Sequence, residues 1–272
     1  MMQFAVRLVA RLTQTNIFLI AAGVAFYAML AVFPGLTATI SIWSTFADPG
    51  VIQSYLQVAD NFIPSEAYSI LDDQVKALLA GPRGGIAWGT LLSILFALVS
   101  ARAGVNALVQ GLNVIHASRP RTTLLGFLFG YVMTLALVGV MLIAMATIVV
   151  VPFVANFLPF HAATAWLLSW LPWAAMLLLM LTVLGVLYRF APYAPVRRDP
   201  LLSIGSVVAT LVWGGASLTL TYYLANFGNY NKVYGSLGAV IALLMWLYIG
   251  AFSVLLGAAL NAELASWRRA SA

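Results

Sequence analysis

Four polar side chains recur at helical spacing within one apolar stretch of the chain. Arg102, Asn106, Gln110 and Asn113 are separated by four, four and three residues, so on a helix they fall within an arc of about 80°. A guanidinium beside carboxamides can hold an anionic or polar group. We predict that this polar stripe binds substrate and turns toward the bundle or toward a wet vestibule. In the alternative, Arg102 extends to the inner interface and the amides tie helices together.

Two more polar side chains lie near the end of the last apolar run. Asn261 and Glu263 complete the hypothetical substrate-binding set. Glu263 and Asp199 are the only acids on the half of the chain that we predict to be cytoplasmic. Either acid is therefore a candidate counter-charge for Arg102 or Arg189.

Six long apolar runs must position these residues. They cover residues 16–46, 85–113, 122–157, 163–190, 201–225 and 235–265. Each exceeds the roughly 20 residues that cross a bilayer as a helix, and 63% of the chain is hydrophobic while only 7% is charged. The sequence therefore predicts an all-α polytopic membrane protein with six transmembrane helices in a single integral membrane domain, 1–272. The absence of cysteine excludes disulfides and thiolate chemistry.

The basic residues predict the orientation of these spans. Three of them, Lys76, Arg83 and Lys232, fall in the joints predicted to be outside, whereas nine fall in the termini and the alternate joints. The nine are Arg7, Arg11, Arg119, Arg121, Arg189, Arg197, Arg198, Arg268 and Arg269. By the positive-inside rule both termini are cytoplasmic, and the net charge of +6 reflects topology and not nucleic-acid binding. The first span is predicted to be retained, because its apolar run is too long for a signal peptide.

The longest joint, residues 47–84, is predicted to contain an amphipathic helix on the outer side. Ser65 is a plausible N-cap, and apolar residues recur at helical spacing after it, opposite Glu66, Asp72 and Asp73. They are Ala67, Ile70, Leu71, Val75, Leu78 and Leu79.

Prolines and small residues punctuate the spans. Pro34, Pro152 and Pro172 are predicted helix breaks that shape the bundle or act as hinges. The last run has a small-residue face, which allows close helix packing. We predict packing positions at Gly235, Gly238, Gly250, Ser253 and Gly257.

No residue set in the sequence predicts catalysis, a metal or a cofactor. His116 and His161 are predicted on opposite sides of the membrane, so they cannot converge with carboxylates as two-metal hydrolysis requires. Arg189, Arg197 and Arg198 flank an inner helix end, where basic residues contact anionic lipid headgroups. We therefore predict lipid partners, no nucleic acid and no enzymatic activity.

Several stretches resemble a bacterial family of inner-membrane proteins, YihY/BrkB. They are A-G-V-A-F-Y-A-M-L-A-V-F-P from Ala22 to Pro34, S-A-R-A-G-V-N-A-L-V-Q-G-L-N-V-I from Ser100 to Ile115, Tyr188-Arg189, Y-G-S-L-G-A-V-I-A-L-L-M-W-L-Y from Tyr234 to Tyr248, and G-A-A-L-N-A-E-L from Gly257 to Leu264. The family usually reads G-A-E-L-N-A, and here Ala259 replaces that glutamate, which leaves Glu263 as the nearby substitute.

The resemblance implies a bacterial cytoplasmic membrane location. Some members of this family are linked with movement of lipid or lipopolysaccharide precursors, and others have carried the label "ribonuclease BN". The residues disfavour the nuclease. We predict a protein that moves or flips an amphiphile or lipid-like substrate. A non-transporting structural or partner-binding protein is the alternative, and a lipid-modifying membrane enzyme comes third. A second copy of the chain remains a candidate partner.

Overall fold

Seven helices contain most of the residues that the structure describes. The computed structural model describes residues 2–43, 68–69, 72–73, 75–76, 88–118, 128–137, 139, 177–193, 200–226 and 236–270. The long helices are α1 (Met2–Gln14), α2 (Ile17–Trp43), α3 (Trp88–Ile115), α6 (Ile204–Asn226) and α7 (Ser236–Ala270). Two shorter apolar helices are α4 (Leu128–Leu137) and α5 (Leu177–Phe190). The all-α prediction is confirmed for these residues.

Four of the helices that the structure describes are long and apolar enough to cross a membrane. They contain the candidate spans Ile17–Gly35, Leu91–Ile115, Ile204–Leu224 and Leu237–Arg268, which correspond to the first, second, fifth and sixth predicted runs. The third and fourth predicted runs, 122–157 and 163–190, are described only in part, through α4 and α5. The described structure thus supports a helical membrane protein with at least four such helices.

The amino-terminal segment, which the sequence predicts only as a charged flank of the first span, forms a helix of its own. Thr15 and Asn16 separate α1 from α2, and Asn16 has a φ of 50°. Asparagine tolerates this left-handed conformation better than most residues. The amide of Ile20 donates to the Asn16 carbonyl at 3.1 Å, so α2 begins as a new helix directly after the turn.

The carboxyl end of α3 is closed by a two-bond cap. Ala117 has a φ of 49°; its amide donates to the Val114 carbonyl at 3.1 Å, and the Ser118 amide donates to the Asn113 carbonyl at 2.8 Å. This is the Schellman arrangement, with alanine where glycine is usual. The cap fixes Asn113 and Ile115 at a defined helix end.

Two compact units account for the chain. The first unit comprises Met1–Thr15, Val109–Leu211 and Val254–Ala272, and the second comprises Asn16–Leu108 and Val212–Ser253. Buried residues of the first unit include Leu184, Tyr188 and Leu255. In the second, Leu220, Leu224 and Ala242 form a cluster against which Trp246 and Ile249 pack.

Helix α2 continues through Pro34 to Trp43, so this proline does not end the helix. Its ring is half-buried. The other two predicted break positions, Pro152 and Pro172, lie outside the described residues.

Six described residues of the segment 47–84 are helical: Tyr68, Ser69, Asp72, Asp73, Val75 and Lys76. Val75 is buried while Asp73 and Lys76 are exposed, as an amphipathic helix requires. Lys76 donates to Asp72 at 2.5 Å. This hydrogen bond raises the pKa of the exposed Lys76 ammonium above its ordinary value.

Candidate functional site

The polar stripe lies on α3, but its four side chains differ in burial. Arg102 is half-buried with its Nη1 atom buried, Asn106 and Gln110 are exposed, and Asn113 is buried. Asn106 and Gln110 are therefore not buried against other helices of the bundle, and a wet vestibule beside them stays a prediction. The same side of α3 carries the exposed Leu92, Leu95 and Val99 one to three turns earlier, so these amides point outward with the leucines.

The stripe also reaches deep along its helix. Arg102 precedes the last residue of α3, Ile115, by thirteen positions, which is about 20 Å at 1.5 Å per residue. That distance exceeds half of the roughly 30 Å hydrocarbon core. Along one exposed face, α3 therefore changes from apolar side chains to polar ones near the middle of its span.

Asn113 contacts the segment that follows α5. The backbone amide of Tyr193 donates to the Asn113 Oδ1 atom at 2.8 Å. Because Asn113 is only 6% exposed, this bond satisfies a buried acceptor and holds the chain after α5 against α3. Sequence spacing placed Asn113 on the stripe but gave no sign of this partner, which is 80 residues away.

Arg11 joins three helices of the first unit. Its Nη1 donates to the Ile115 carbonyl at the end of α3 at 2.9 Å, and its Nε and Nη2 lie 3.1 and 3.0 Å from Oε2 of Glu263 on α7. The Glu263 side chain is 4% exposed and that of Arg11 is 27% exposed. We call this contact the Arg11 bridge.

The Arg11 bridge identifies the partner of the buried acid. The sequence suggested Arg102 or Arg189 as the partner of Glu263, whereas the ion pair in the structure is with Arg11. Arg11 also places a positive charge at the carboxyl end of α3, where the helix dipole and its unsatisfied carbonyls favour a cation. The two residues are 252 positions apart, so no local pattern could have predicted the pair.

Asn261 caps another helix. Its Oδ1 accepts from the Gly205 amide at 2.8 Å, and its Nδ2 donates to Ser203 Oγ at 2.8 Å. Ser203 and Ser206 complete the cap reciprocally, because each hydroxyl accepts from the other residue's amide at 3.1 Å. The start of α6 is thus satisfied by Ser203, Ser206 and a side chain from α7, an arrangement we call the Asn261 cap.

Small residues bring α6 and α7 into close contact beside that cap. A Cβ at Gly257 would collide with the Gly205 carbonyl and the Tyr188 hydroxyl, and would lie 2.8 Å from the Ala209 Cβ. The Tyr188 hydroxyl, in a residue 2% exposed, donates to the Val254 carbonyl at 2.7 Å. Only glycine at 257 permits this approach.

Other predicted packing positions lie along α7. Ser253 is fully buried and donates to the Ile249 carbonyl at 2.8 Å, and Gly238 is buried. Gly250 is half-buried beside Trp213, with 3.7 Å between a built Cβ and the indole nitrogen. In the second unit Trp246 donates through Nε1 to Ser217 Oγ at 3.2 Å. Gly235 lies outside the described residues.

Three basic residues are predicted to contact lipid headgroups, and one of them, Arg189, lies among the described residues. It is half-buried, and its guanidinium carbon lies 5.7 Å from the centre of the Phe190 ring. Its buried Nε has no hydrogen-bond partner among the residues that the structure describes. Arg197 and Arg198 lie outside those residues. Ala259, at the position of the family glutamate, is fully buried.

Comparison with known proteins gives a consistent set of relatives. A family model described as virulence factor BrkB matches residues 8–272. The "ribonuclease-like protein YfkH" of Bacillus subtilis is 28% identical over 250 residues, which cover 89% of this chain and 88% of that protein. A "UPF0761 membrane protein" of Chlorobium luteolum is 29% identical over 249 residues, or 89% of this chain and 56% of that protein.

A third relative is a "UPF0761 membrane protein" of Xanthomonas campestris pv. campestris. It is 28% identical over 269 residues, which cover 95% of this chain and 60% of that protein. The chain therefore spans somewhat more than half the length of these two UPF0761 relatives. No solved structure matches the chain.

Proposed function

The chain belongs to the virulence factor BrkB family of membrane proteins, and from that premise we propose that it moves an amphiphile across the bacterial cytoplasmic membrane. The amphiphile is a lipid or a lipid-like molecule. One observation carries the proposal: Asn106 and Gln110 are exposed on a helix long and apolar enough to span the membrane.

Exposed carboxamides on a span require a polar partner. Moving an amide from water to an apolar medium without a hydrogen bond costs about 2–7 kcal/mol, so these two side chains favour water or a headgroup beside them. Arg102 precedes Asn106 by one helical turn and adds a positive charge that can bind a phosphate group. The exposed Leu92 and Val99 continue the same side of α3.

That side of α3 is apolar along one half and polar along the other, as an amphiphile has apolar tails and a polar headgroup. A molecule lying along the helix would place its headgroup on Asn106 and Gln110 and its tails on the leucines and valine. A headgroup could then travel along the polar half of α3 while its tails stay in the bilayer. Arg189, Arg197 and Arg198 are proposed contacts for anionic headgroups at the inner surface.

Lipid movement is tested in proteoliposomes with fluorescent lipids whose outer-leaflet label is bleached chemically. We expect the parent protein to expose inner-leaflet lipid to the bleach and Asn106→Leu, Gln110→Leu and Arg102→Ala to slow that exposure. Thr219→Leu is the matched control, because Thr219 is an exposed polar residue on another span, α6. Parent vesicles that behave as protein-free vesicles would reject transport, and equal slowing by Thr219→Leu would reject the stripe as its route.

A non-transporting, partner-binding protein is the second candidate. The Asn261 cap and the Arg11 bridge join helices, and the Asn113 contact holds the segment after α5 against α3. Exposed amides on a span also form hydrogen bonds between subunits. The chain has no cysteine, so Asn106→Cys introduces a single thiol. Efficient disulfide dimers of that variant in native membranes, together with no lipid movement by the parent, would favour this alternative.

The name of the Bacillus relative suggests a ribonuclease, a function that we do not favour. Nuclease chemistry needs converging carboxylates or histidines, and Glu263 is engaged with Arg11. We propose a protein without enzymatic activity. We expect RNA to stay intact when it is incubated with the purified protein and added divalent metal. Cleavage of the RNA that the Glu263→Gln variant no longer shows would contradict this proposal.

The full topology is also a proposal. We propose six transmembrane helices in the inner membrane, both termini in the cytoplasm and residues 47–84 outside, as the distribution of basic residues supports. Reporter fusions after Gly85 and after Ala272 test this arrangement. Periplasmic activity of the carboxyl-terminal fusion would overturn it.

A further inference from the structure

Helix α1 has three different sides when its residues are placed at about 100° per residue. One side is half-buried and carries Phe4, Leu8, Arg11 and Leu12. The next side is exposed and mostly apolar, with Ala5, Val6, Val9 and Thr13. The last side is exposed and polar, with Gln3, Arg7 and Gln14.

The exposed apolar side is substantial for so short a helix. Val6 is 62% exposed and Val9 is 60% exposed. The one polar side chain between them, Thr13, donates its hydroxyl to the Val9 carbonyl at 3.0 Å, so it needs no water. A helix surrounded by water would carry polar side chains on both exposed sides.

The Arg11 bridge places the end of α1 at the level where two spans end. Arg11 binds the carbonyl of Ile115, the last residue of the candidate span Leu91–Ile115. It also pairs with Glu263, one helical turn before Trp267, which is 55% exposed. Exposed tryptophans near span ends are typical of the membrane–water interface.

We infer that α1 lies in the surface of the bilayer, with Val6 and Val9 among the upper acyl chains and Arg7 at the anionic headgroups. A helix that lies beside a bundle at that interface faces protein on one side, acyl chains on the next and water on the last. The three sides of α1 follow this order. The joint to α2 is only Thr15 and Asn16, and the candidate span begins at Ile17. This connection and the Arg11 bridge keep α1 at the membrane.

Single spin labels test this placement, because the chain has no native cysteine. Val6→Cys and Val9→Cys report the apolar side of α1, and Gln3→Cys and Gln14→Cys are the matched controls on its polar side. Each variant is prepared as the full chain in nanodiscs containing anionic lipid. Collision with oxygen, which concentrates in the bilayer, is compared with collision with a water-soluble nickel chelate.

We expect the labels at positions 6 and 9 to favour oxygen and to lie about 5–10 Å below the headgroup–acyl boundary, while those at 3 and 14 favour the chelate. Chelate access at all four positions would overturn the inference, because α1 would then face water. Protection from both reagents at positions 6 and 9 would also overturn it, because a protein surface and not lipid would cover them. Size-exclusion profiles that match the parent select the folded variants.

Discussion

Asn261 offers the sharpest test of the difference between a structural polar residue and a ligand-binding one. Replacing it with alanine removes the acceptor for the Gly205 amide and the donor to Ser203 Oγ, both at 2.8 Å. The Gly205 amide would remain buried without a partner, at about 1–3 kcal/mol, and the lost hydrogen bond to Ser203 Oγ is worth about 0.5–1.5 kcal/mol. We expect Asn261→Ala to lower the unfolding free energy by about 2–4 kcal/mol.

The assay is unfolding of the purified protein in detergent, followed by tryptophan fluorescence during heating or during titration with a denaturing detergent. The expected loss corresponds to a melting temperature lower by about 5–15 °C. Asn106→Ala is the matched control, because it removes the same side chain from an exposed position. It should change unfolding by less than about 0.5 kcal/mol.

A double-mutant cycle identifies the cap itself. Asn261→Ala and Ser203→Ala should be non-additive by about 0.5–3 kcal/mol, because both variants remove the same hydrogen bond. Unchanged stability in Asn261→Ala would refute the cap as described here. If that variant also lost lipid movement, Asn261 would belong with the substrate and not with α6.

Three further predictions concern contacts within the first unit, and each is measured as the unfolding free energy in detergent. Arg11→Ala should lower the unfolding free energy by about 3 kcal/mol, which is the low end for a buried ion pair because Arg11 is partly exposed. If the losses from Arg11→Ala and Glu263→Ala were fully additive, that result would contradict the ion pair. Gly257→Ala should cost about 1–3 kcal/mol by overpacking. Gly214→Ala, where a Cβ meets no atom within 4 Å, should be neutral or stabilising, and equal losses would contradict the close approach at Gly257. Tyr188→Phe should cost about 0.5–1.5 kcal/mol, the value of the hydrogen bond to Val254, and an unchanged midpoint would show that this bond contributes nothing.

Hydropathy predicted the helices well because a bilayer imposes a simple requirement. Every backbone group in lipid must be satisfied internally, so a long apolar run has to be helical. The four helices that contain the candidate spans match the predicted runs to within three residues at their described ends, except that α7 continues five residues past the predicted end at residue 265. Charged residues such as Arg268 end the apolar run but do not end a helix.

The contacts of the candidate site were less accessible from the sequence. Spacing predicted that Arg102, Asn106, Gln110 and Asn113 share a face, but burial along that face depends on neighbours that no local pattern reveals. Glu263 was identified as an unusual acid and Arg11 as a topology signal, and their pairing needed the folded structure. The amphipathic period of α1 was present in Met2–Gln14 and could have been found by placing its residues on a helix.

The Arg11 bridge has a consequence for the order in which the protein is made. Arg11 leaves the ribosome 252 residues before Glu263, and at about 5–20 residues per second that delay is about 13–50 s. During this interval the bridge cannot form. The Gly205 amide of α6 waits in the same way for Asn261, which follows it by 56 residues, or about 3–11 s. The newly inserted chain therefore holds these groups without their final partners until α7 is made, because α7 carries both Glu263 and Asn261.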